Sequence, residues 1–222
     1  MAHNLDISRH QELFEPHNFN TPITIIGAGA TGSWIALALA KLGIEDITVY
    51  DFDVVEEHNI PNQAFDMNHI GEPKVECLYA RIKHATHTLI KVNNEKYTNQ
   101  RLTGIVIMQV DSMRERKRIW QESIKMKPAV SLLIESRLGL DCGRVYNINP
   151  INLRHIEKYE QTFYNDEDSE VSACGHSLSV ISSVLGVSAW CVRQLINWHN
   201  NIELDNEILI DFKYNNIITF KW

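Results

Sequence analysis

Three glycines at spacings of two and three residues, Gly27, Gly29 and Gly32 in the run GAGATG, follow the β-branched segment Ile23–Ile26 and precede an apolar helical pattern, SWIALALAKL. Each has a physical task at such a junction. Gly27 permits the tight turn out of the strand, Gly29 lets a phosphate approach the backbone, and Gly32 lets the helix pack closely on the strand. The unpaired N–H groups and partial positive charge at the start of the helix attract an anion. Asp51 falls nineteen residues after Gly32, at the end of the next β pattern, DITVYD, where a carboxylate accepts ribose hydroxyls. Together these residues predict a nucleotide site. The pattern suits NAD as well as ATP, since both present a ribose and phosphates; glycines that only make a tight strand–helix turn are the plain structural alternative.

The elements that must position this chemistry begin as a βαβ unit, closed by Gly43 after the first helix. Residues 53–73 are rich in Asn, Asp, His, Gly and Pro and read as a loop with short helical pieces over the carboxyl edge of a sheet. A helix is expected over 74–84, a strand near Lys91–Asn93 and a strong strand, GIVIMQV, over 104–110, with Asp111 just past its end. A helix over 112–126 and strands over 129–136 and 143–148 follow, and strict βα alternation is lost there. The stretch around EKYEQTFYNDEDSEVS is polar and acidic and reads as a crossover loop or lid over about 151–173. Residues 177–198 form a long apolar helix, and EILIDFKYNNIITFKW ends in a hairpin signal. The expectation is one α/β domain over 1–222, with an N-terminal arm over 1–21. Its sheet is Rossmann-like and mixed, parallel in the N-terminal part and antiparallel in the C-terminal strands.

Composition sets further bounds. With 222 residues, 44% hydrophobic and 22% charged, the chain has the makeup of an ordinary globular domain. A net charge of -7 argues against a nucleic-acid-coating role, which needs clustered Lys and Arg. No apolar run is long enough to span a membrane and no signal-peptide core begins the chain, so the expected compartment is the cytoplasm, with no membrane partner. Cys77, Cys142, Cys174 and Cys191 contain no C-x-x-C pair, which excludes a structural zinc site built from two such pairs. Cys77, Cys142 and Cys191 read as core thiols. The ten histidines show no metal-ligand spacing.

Several separated segments, from Ile7 to about Asp111 and more loosely to Leu195, resemble the ThiF/MoeB and ubiquitin-activating enzyme superfamily. DFDVVEEHNIPNQAF resembles the family's D-x-D-x-V-x-x-x-N-x-x-R-Q signature, and GEPKVECL its lysine segment. The resemblance implies that Asp51 holds the ribose, that Asn59 and Gln63 line the nucleotide pocket, and that Lys74 contacts phosphates. It implies that Asp111, in VDSMRERKR, holds magnesium and supports adenylation, and that Arg116 matches the arginine that follows it. Arg9, in Ser8-Arg9-His10-Gln11, resembles an arginine that reaches into the partner subunit's site, so a homodimer is implied.

The implied activity is ATP-dependent adenylation of the C-terminal carboxylate of a ubiquitin-like or sulfur-carrier protein, with ATP and Mg2+ as cofactors. Cys174, in VSACGHS with His176 close by, lies near where related enzymes carry a nucleophile that takes the adenylated substrate as a thioester; a structural thiol is the alternative. The family arginine before Gln falls on Asn62, which brings no charge to a phosphate. That departure keeps open a catalytically silent nucleotide-binding scaffold partner, and the glycine loop alone keeps open an NAD-dependent oxidoreductase. Plainer readings stand beside each residue: Asp51 and Asp111 as helix caps, Asn59 and Gln63 as turn-satisfying amides, and Lys74, Arg116 and Arg9 as solvated charges.

Overall fold

The computed structural model describes residues 5–165 and 179–222. Strand β1 (Ile23–Ile26) leads through the glycine loop into helix α1 (Ala30–Lys41) and strand β2 (Ile47–Tyr50), which pairs parallel to β1 with Ile25 opposite Val49. Helix α2 (Lys74–Thr86) carries the chain to the edge strand β3 (Lys91–Asn93). The chain then crosses back to β4 (Gly104–Met108), which pairs parallel on the other side of β1. Helix α3 (Met113–Ile119), β5 (Val130–Leu138), β6 (Cys142–Ile148), α4 (Leu153–Glu160), α5 (Ile181–His199), β7 (Glu207–Asp211) and β8 (Asn216–Phe220) complete the described elements.

The strands form one sheet in the order β3-β2-β1-β4-β5-β6-β7-β8. Pairing is parallel as far as β5 and antiparallel from there to β8, which is the mixed α/β sheet expected from the sequence. Because the chain winds outward from β1 in one direction and from β4 in the other, the order reverses between these two strands. A crevice at their carboxyl ends is where an open α/β sheet binds its ligand.

Both faces of the central strands are covered, which is why β4 is buried at every position and reads as a continuous apolar run. On one face Ile25, Val49, Ile105 and Ile107 pack with Leu39, Leu78 and Leu195 from α1, α2 and α5. On the other, Val106, Met108 and Leu133 pack with Trp120, Tyr146 and Tyr159. Within residues 53–73, short 3-10 turns at Glu57–Asn59 and Met67–His69 are the helical pieces expected there. Among the described residues no helix is long and apolar enough to cross a membrane.

Three expectations need correction. Residues 153–160 of the acidic stretch form α4 and not a loop: Asn152 caps it by accepting the Arg154 and His155 N–H groups at 3.0 and 3.3 Å. Ile156 and Tyr159, three residues apart, lie on one buried face while Arg154, Glu157 and Lys158 stay outside. Burial of such an Ile contributes about 1.5–3 kcal/mol, enough to dock a helix whose average composition is polar. The expected helix over 112–126 is α3 followed by a π-helical turn at Trp120–Ile124, closed by the Lys125 N–H donating to the Trp120 carbonyl at 2.8 Å. Cys77 and Cys191 are buried as expected, but Cys142 is exposed, because it opens β6 on the face opposite Gly143, which is the residue that packs against Val187 of α5.

Candidate functional site

Each glycine of the loop meets a different demand. Gly27 has φ +98, and a Cβ there would lie 2.6 Å from the Gln109 carbonyl oxygen. A Cβ on Gly32 would lie 1.9 Å from the Gly27 carbonyl oxygen, so the helix can sit this close only over glycine. Gly29 differs from both: its φ is -76 and a Cβ would meet nothing within 4 Å. Internal packing does not require glycine there, so its open side is free for close approach from outside, beside a helix start that no side chain caps.

Asp51 closes the loop from the end of β2. Its Oδ2 accepts the Ala28 N–H at 2.6 Å and its Oδ1 accepts the Asp53 N–H at 2.8 Å. Burial raises the Asp51 carboxyl above its ordinary range, against the opposing pull of the two N–H groups and of Lys74. Each oxygen keeps a lone pair, so the carboxylate fits ribose hydroxyls while it holds the loop. The helix-cap alternative does not apply to Asp51, whose partners lie in the glycine loop and in its own turn.

Lys74, only 6% exposed at the first turn of α2, directs its Nζ to Asp53 Oδ2 at 3.0 Å. Its backbone N–H donates to the Asp53 carbonyl at 2.9 Å, so a two-point link fixes the start of α2 against the end of β2. A buried ammonium beside Asp51 and the loop fits a phosphate contact and is not a solvated charge. Asp53 was not singled out from the sequence, although it is the second acid of the D-x-D run.

The amides of the following segment have divided roles. Asn59 is buried and its Oδ1 accepts the Glu56 N–H at 2.9 Å, which is the turn-satisfying alternative. Asn62 donates from Nδ2 to Ser179 Oγ at 2.6 Å, while its carbonyl accepts the Trp34 indole N–H at 3.1 Å. Gln63 keeps a buried Oε1 without a partner among the described residues, as a group awaiting a donor would.

Asp111 is exposed just beyond β4, two residues after Gln109, whose backbone lies against Gly27. Thus Asp111 and the glycine loop share the carboxyl edge of the sheet. The described residues hold no cluster of three potential metal-ligating side chains, so a magnesium ion here would rest on one carboxylate, waters and nucleotide phosphates, a donor set that suits it. Gln109 itself accepts from Thr31 Oγ1 at 2.7 Å and from Ser136 Oγ at 2.5 Å, joining α1, β4 and β5 beneath the loop. No sequence signal marked it, because the contact is made between residues 78 and 27 positions apart.

Arg116 is not brought to the surface of this site. It is 4% exposed, and its Nη1 lies 2.5 Å from Oε1 of Glu135, which is fully buried. Although burial alone would raise the Glu135 carboxyl, Arg116 and Arg137 hold it below the usual range. Arg9 is exposed away from the glycine loop of its own chain: Ile7, two residues before it, approaches Gly43 beyond the far end of α1, and α1 spans about 18 Å. Cys174 and His176 lie outside the described residues.

Comparison with known proteins shows the family and the fold. A model of the family described as "ThiF family" matches residues 4–200. A tRNA threonylcarbamoyladenosine dehydratase 2 from Saccharomyces cerevisiae is 35% identical over 83 residues, which is 36% of this chain and 19% of that protein. The NEDD8-activating enzyme E1 catalytic subunit of Schizosaccharomyces pombe is 29% identical over 121 residues, 51% of this chain and 27% of that one. The chain therefore spans about a quarter or less of these curated relatives. Among solved structures, E. coli MccB with succinimide superposes with a TM-score of 0.71 at 16% identity, covering 91% of this chain and 64% of that one. PaaA gives 0.71 at 16% identity, covering 97% and 68%. E. coli MccB with ATP gives 0.67 at 15% identity, covering 91% and 64%.

Proposed function

The chain belongs to the ThiF family, and from that premise we propose that it binds MgATP in the crevice between β1 and β4 and adenylates the C-terminal carboxylate of a ubiquitin-like or sulfur-carrier protein. The observation that carries the reading is the convergence on one sheet edge of the open Gly29 backbone, the Asp51 carboxylate and the buried Lys74 ammonium. A solved structure of similar fold is a complex with ATP. One relative is named as an activating enzyme for a protein modifier.

In this reading Asp51 accepts the ribose hydroxyls and the N–H groups at the start of α1 face the phosphates. Lys74 exchanges its Asp53 partner, half exposed, for a phosphate oxygen. Asp111 holds the metal, which when bound neutralises charge on the phosphates. A substrate carboxylate oxygen bonds to the α-phosphorus, and the bond to the pyrophosphate oxygen breaks. Pyrophosphate leaves as the anion and an acyl adenylate remains. Positioning and charge neutralisation carry such a transfer, so no general base is required. In a homodimer, Arg9 would reach the partner subunit's site, and Cys174 would receive the acyl group as a thioester.

ATP–pyrophosphate exchange with purified protein tests the reading. Exchange that depends on an added carrier protein is expected. No ATP binding and no exchange with any carrier would defeat it. Because another relative is named for a tRNA modification, transfer RNA carrying threonylcarbamoyladenosine belongs in the same assay, and turnover of that RNA alone would move the substrate assignment. Asn62 favours a second reading, a silent scaffold partner, because its amide is bonded to Ser179 and brings no cation. Cellular function that survives Asp111→Ala, with exchange abolished, would select that reading.

A further inference from the structure

The Arg116 side chain holds one neighbour of Asp111, and the first turn of α3 holds the other. Arg116 Nη2 donates to the carbonyl of Val110, the residue before Asp111. Its backbone N–H donates at 3.0 Å to the carbonyl of Ser112, the residue after it. Ser112 is fixed further as the cap of α3, its Oγ accepting the Glu115 N–H at 3.3 Å. The same guanidinium lies 2.5 Å from Glu135 Oε1, with Nη1 also 3.5 Å from the Ser136 carbonyl.

Glu135 is itself fully occupied. Arg137 donates to Oε1 from Nε at 2.8 Å and to Oε2 from Nη2 at 3.1 Å, and the Tyr159 hydroxyl donates to Oε2 at 2.5 Å. Both members of the pair are buried, so neither screening nor side-chain freedom loosens the geometry. A guanidinium suits this task because its planar fork serves a carboxylate and two carbonyls at once, whereas an ammonium is a single point of donation. Turning Arg116 out to a phosphate would strand Glu135 with one cation fewer and leave the Val110 carbonyl unpaired.

Resting on the MgATP reading, we propose that Arg116, oriented by Glu135, is a positioning residue that presents the Asp111 carboxylate to the metal and does not touch the nucleotide. Arg116 holds the backbone beside Asp111 and not its carboxylate, so the loss is expected toward the lower end of the about 10–100-fold that removal of a metal ligand's direct outer partner costs. Its effect is therefore seen in metal binding and not in metal-free nucleotide binding.

The experiment uses the full chain with ATP and Mn2+ as probes. ATP affinity is measured calorimetrically in EDTA, and Mn2+ affinity at saturating ATP from the paramagnetic resonance of free Mn2+. Arg116→Lys is expected to keep metal-free ATP affinity within about twofold and to lose Mn2+ affinity by about tenfold or more. Asp111→Asn should lose it similarly, and the double variant no further. Glu135→Gln should show the same pattern and carries the test if Arg116→Lys fails to fold. Weakened metal-free ATP binding in a folded Arg116→Lys protein would overturn the proposal in favour of a direct nucleotide contact. Unchanged Mn2+ affinity in folded variants, or loss of fold in both, would overturn it in favour of a purely structural cluster. A wild-type protein that binds no ATP under either condition would instead defeat the MgATP reading itself.

Discussion

Asp51 and Ala28 are 23 residues apart and are joined by a hydrogen bond of 2.6 Å, the Ala28 N–H donating to the Asp51 Oδ2. The end of β2 thereby holds the glycine loop in the conformation that exposes its backbone. In the proposed site the same carboxylate would serve the ribose as well. Asp51→Ala is expected to leave the Ala28 and Asp53 N–H groups without their partner, costing about 2 kcal/mol of stability, and to weaken ATP at least about tenfold through the lost ribose contact. Chemical denaturation and calorimetry check both; a variant with normal stability and normal ATP affinity would remove Asp51 from the site.

The same carboxylate sets a pH dependence. Burial raises its proton affinity above the ordinary 3.8, so the folded protein holds this proton more tightly than the unfolded chain. Its contribution to stability is present below 3.8 and is lost as pH rises through the raised value. For the ligand the sign is opposite, because the ribose hydroxyls need the ionised acceptor. ATP affinity is expected to fall on acidification with a midpoint above 3.8, and Asp51→Ala should abolish that component of the titration. A flat affinity profile down to pH 4 in the wild type would contradict it.

Gly29 and Gly32 separate ligand chemistry from packing. At Gly29 an added Cβ meets nothing within 4 Å, so Gly29→Ala should cost only about 1–2 kcal/mol of stability, from the backbone turn and the poorer helix cap. Its ATP affinity should nevertheless drop. At Gly32 an added Cβ would lie 1.9 Å from a backbone oxygen, and Gly32→Ala should destabilise by about 3 kcal/mol or more. Thermal melts with and without ATP distinguish the two; equal behaviour would refute the division of labour.

The legible part of this molecule was local in sequence. The step from Ile26 through GAGATG to α1 combines a change of hydrophobic period with glycines at a junction, and Asp51 follows at the end of the next strand. Helix α4 was missed because its charged residues dominate the average, although Asn152 as a cap and the three-residue spacing of Ile156 and Tyr159 were there to find it. Arg116 could not be placed from sequence. Its partner Glu135 lies nineteen residues away on another element, and only the assembled sheet shows that the guanidinium points inward. Asn59 was legible as a turn-satisfying amide, and the Glu56 N–H is the group that its oxygen accepts.

Glu135 predicts the acid limb of the stability curve. Against the effect of burial, Arg116 and Arg137 hold its carboxyl below the ordinary 4.5, so the unfolded chain binds this proton more readily than the folded one. The stabilising contribution is complete above 4.5 and lost as pH falls toward the folded value. Glu135→Gln should lower stability by about 3 kcal/mol at pH 7, and denaturation midpoints of wild type and variant should converge below pH 4.5. Parallel curves across the range would show that folding leaves the Glu135 carboxyl unshifted, against the hold of the two arginines.

Asn62 bears on whether the site is a working adenylation centre. Its side-chain amide donates to Ser179 at 2.6 Å, anchoring the pocket wall to the residues that precede α5, while its backbone carbonyl accepts the Trp34 indole N–H. The resemblance to the ThiF/MoeB superfamily places an arginine here. A guanidinium would bring a charge-assisted, bidentate donor to the phosphates where the amide brings none. Because Asn62 is only partly buried, Asn62→Arg should leave the fold intact, at the cost of the Ser179 bond. If the missing charge limits the transfer, the variant should raise kcat for pyrophosphate exchange by about tenfold or more, with a smaller change in ATP affinity, because the charge acts on the transition state more than on the ground state. A scaffold that binds ATP without turning it over would gain exchange on the same substitution. A folded Asn62→Arg protein with normal ATP binding and no faster exchange would mean that another cation already serves the phosphates. Lys74, released from Asp53, is the residue to examine next in that case.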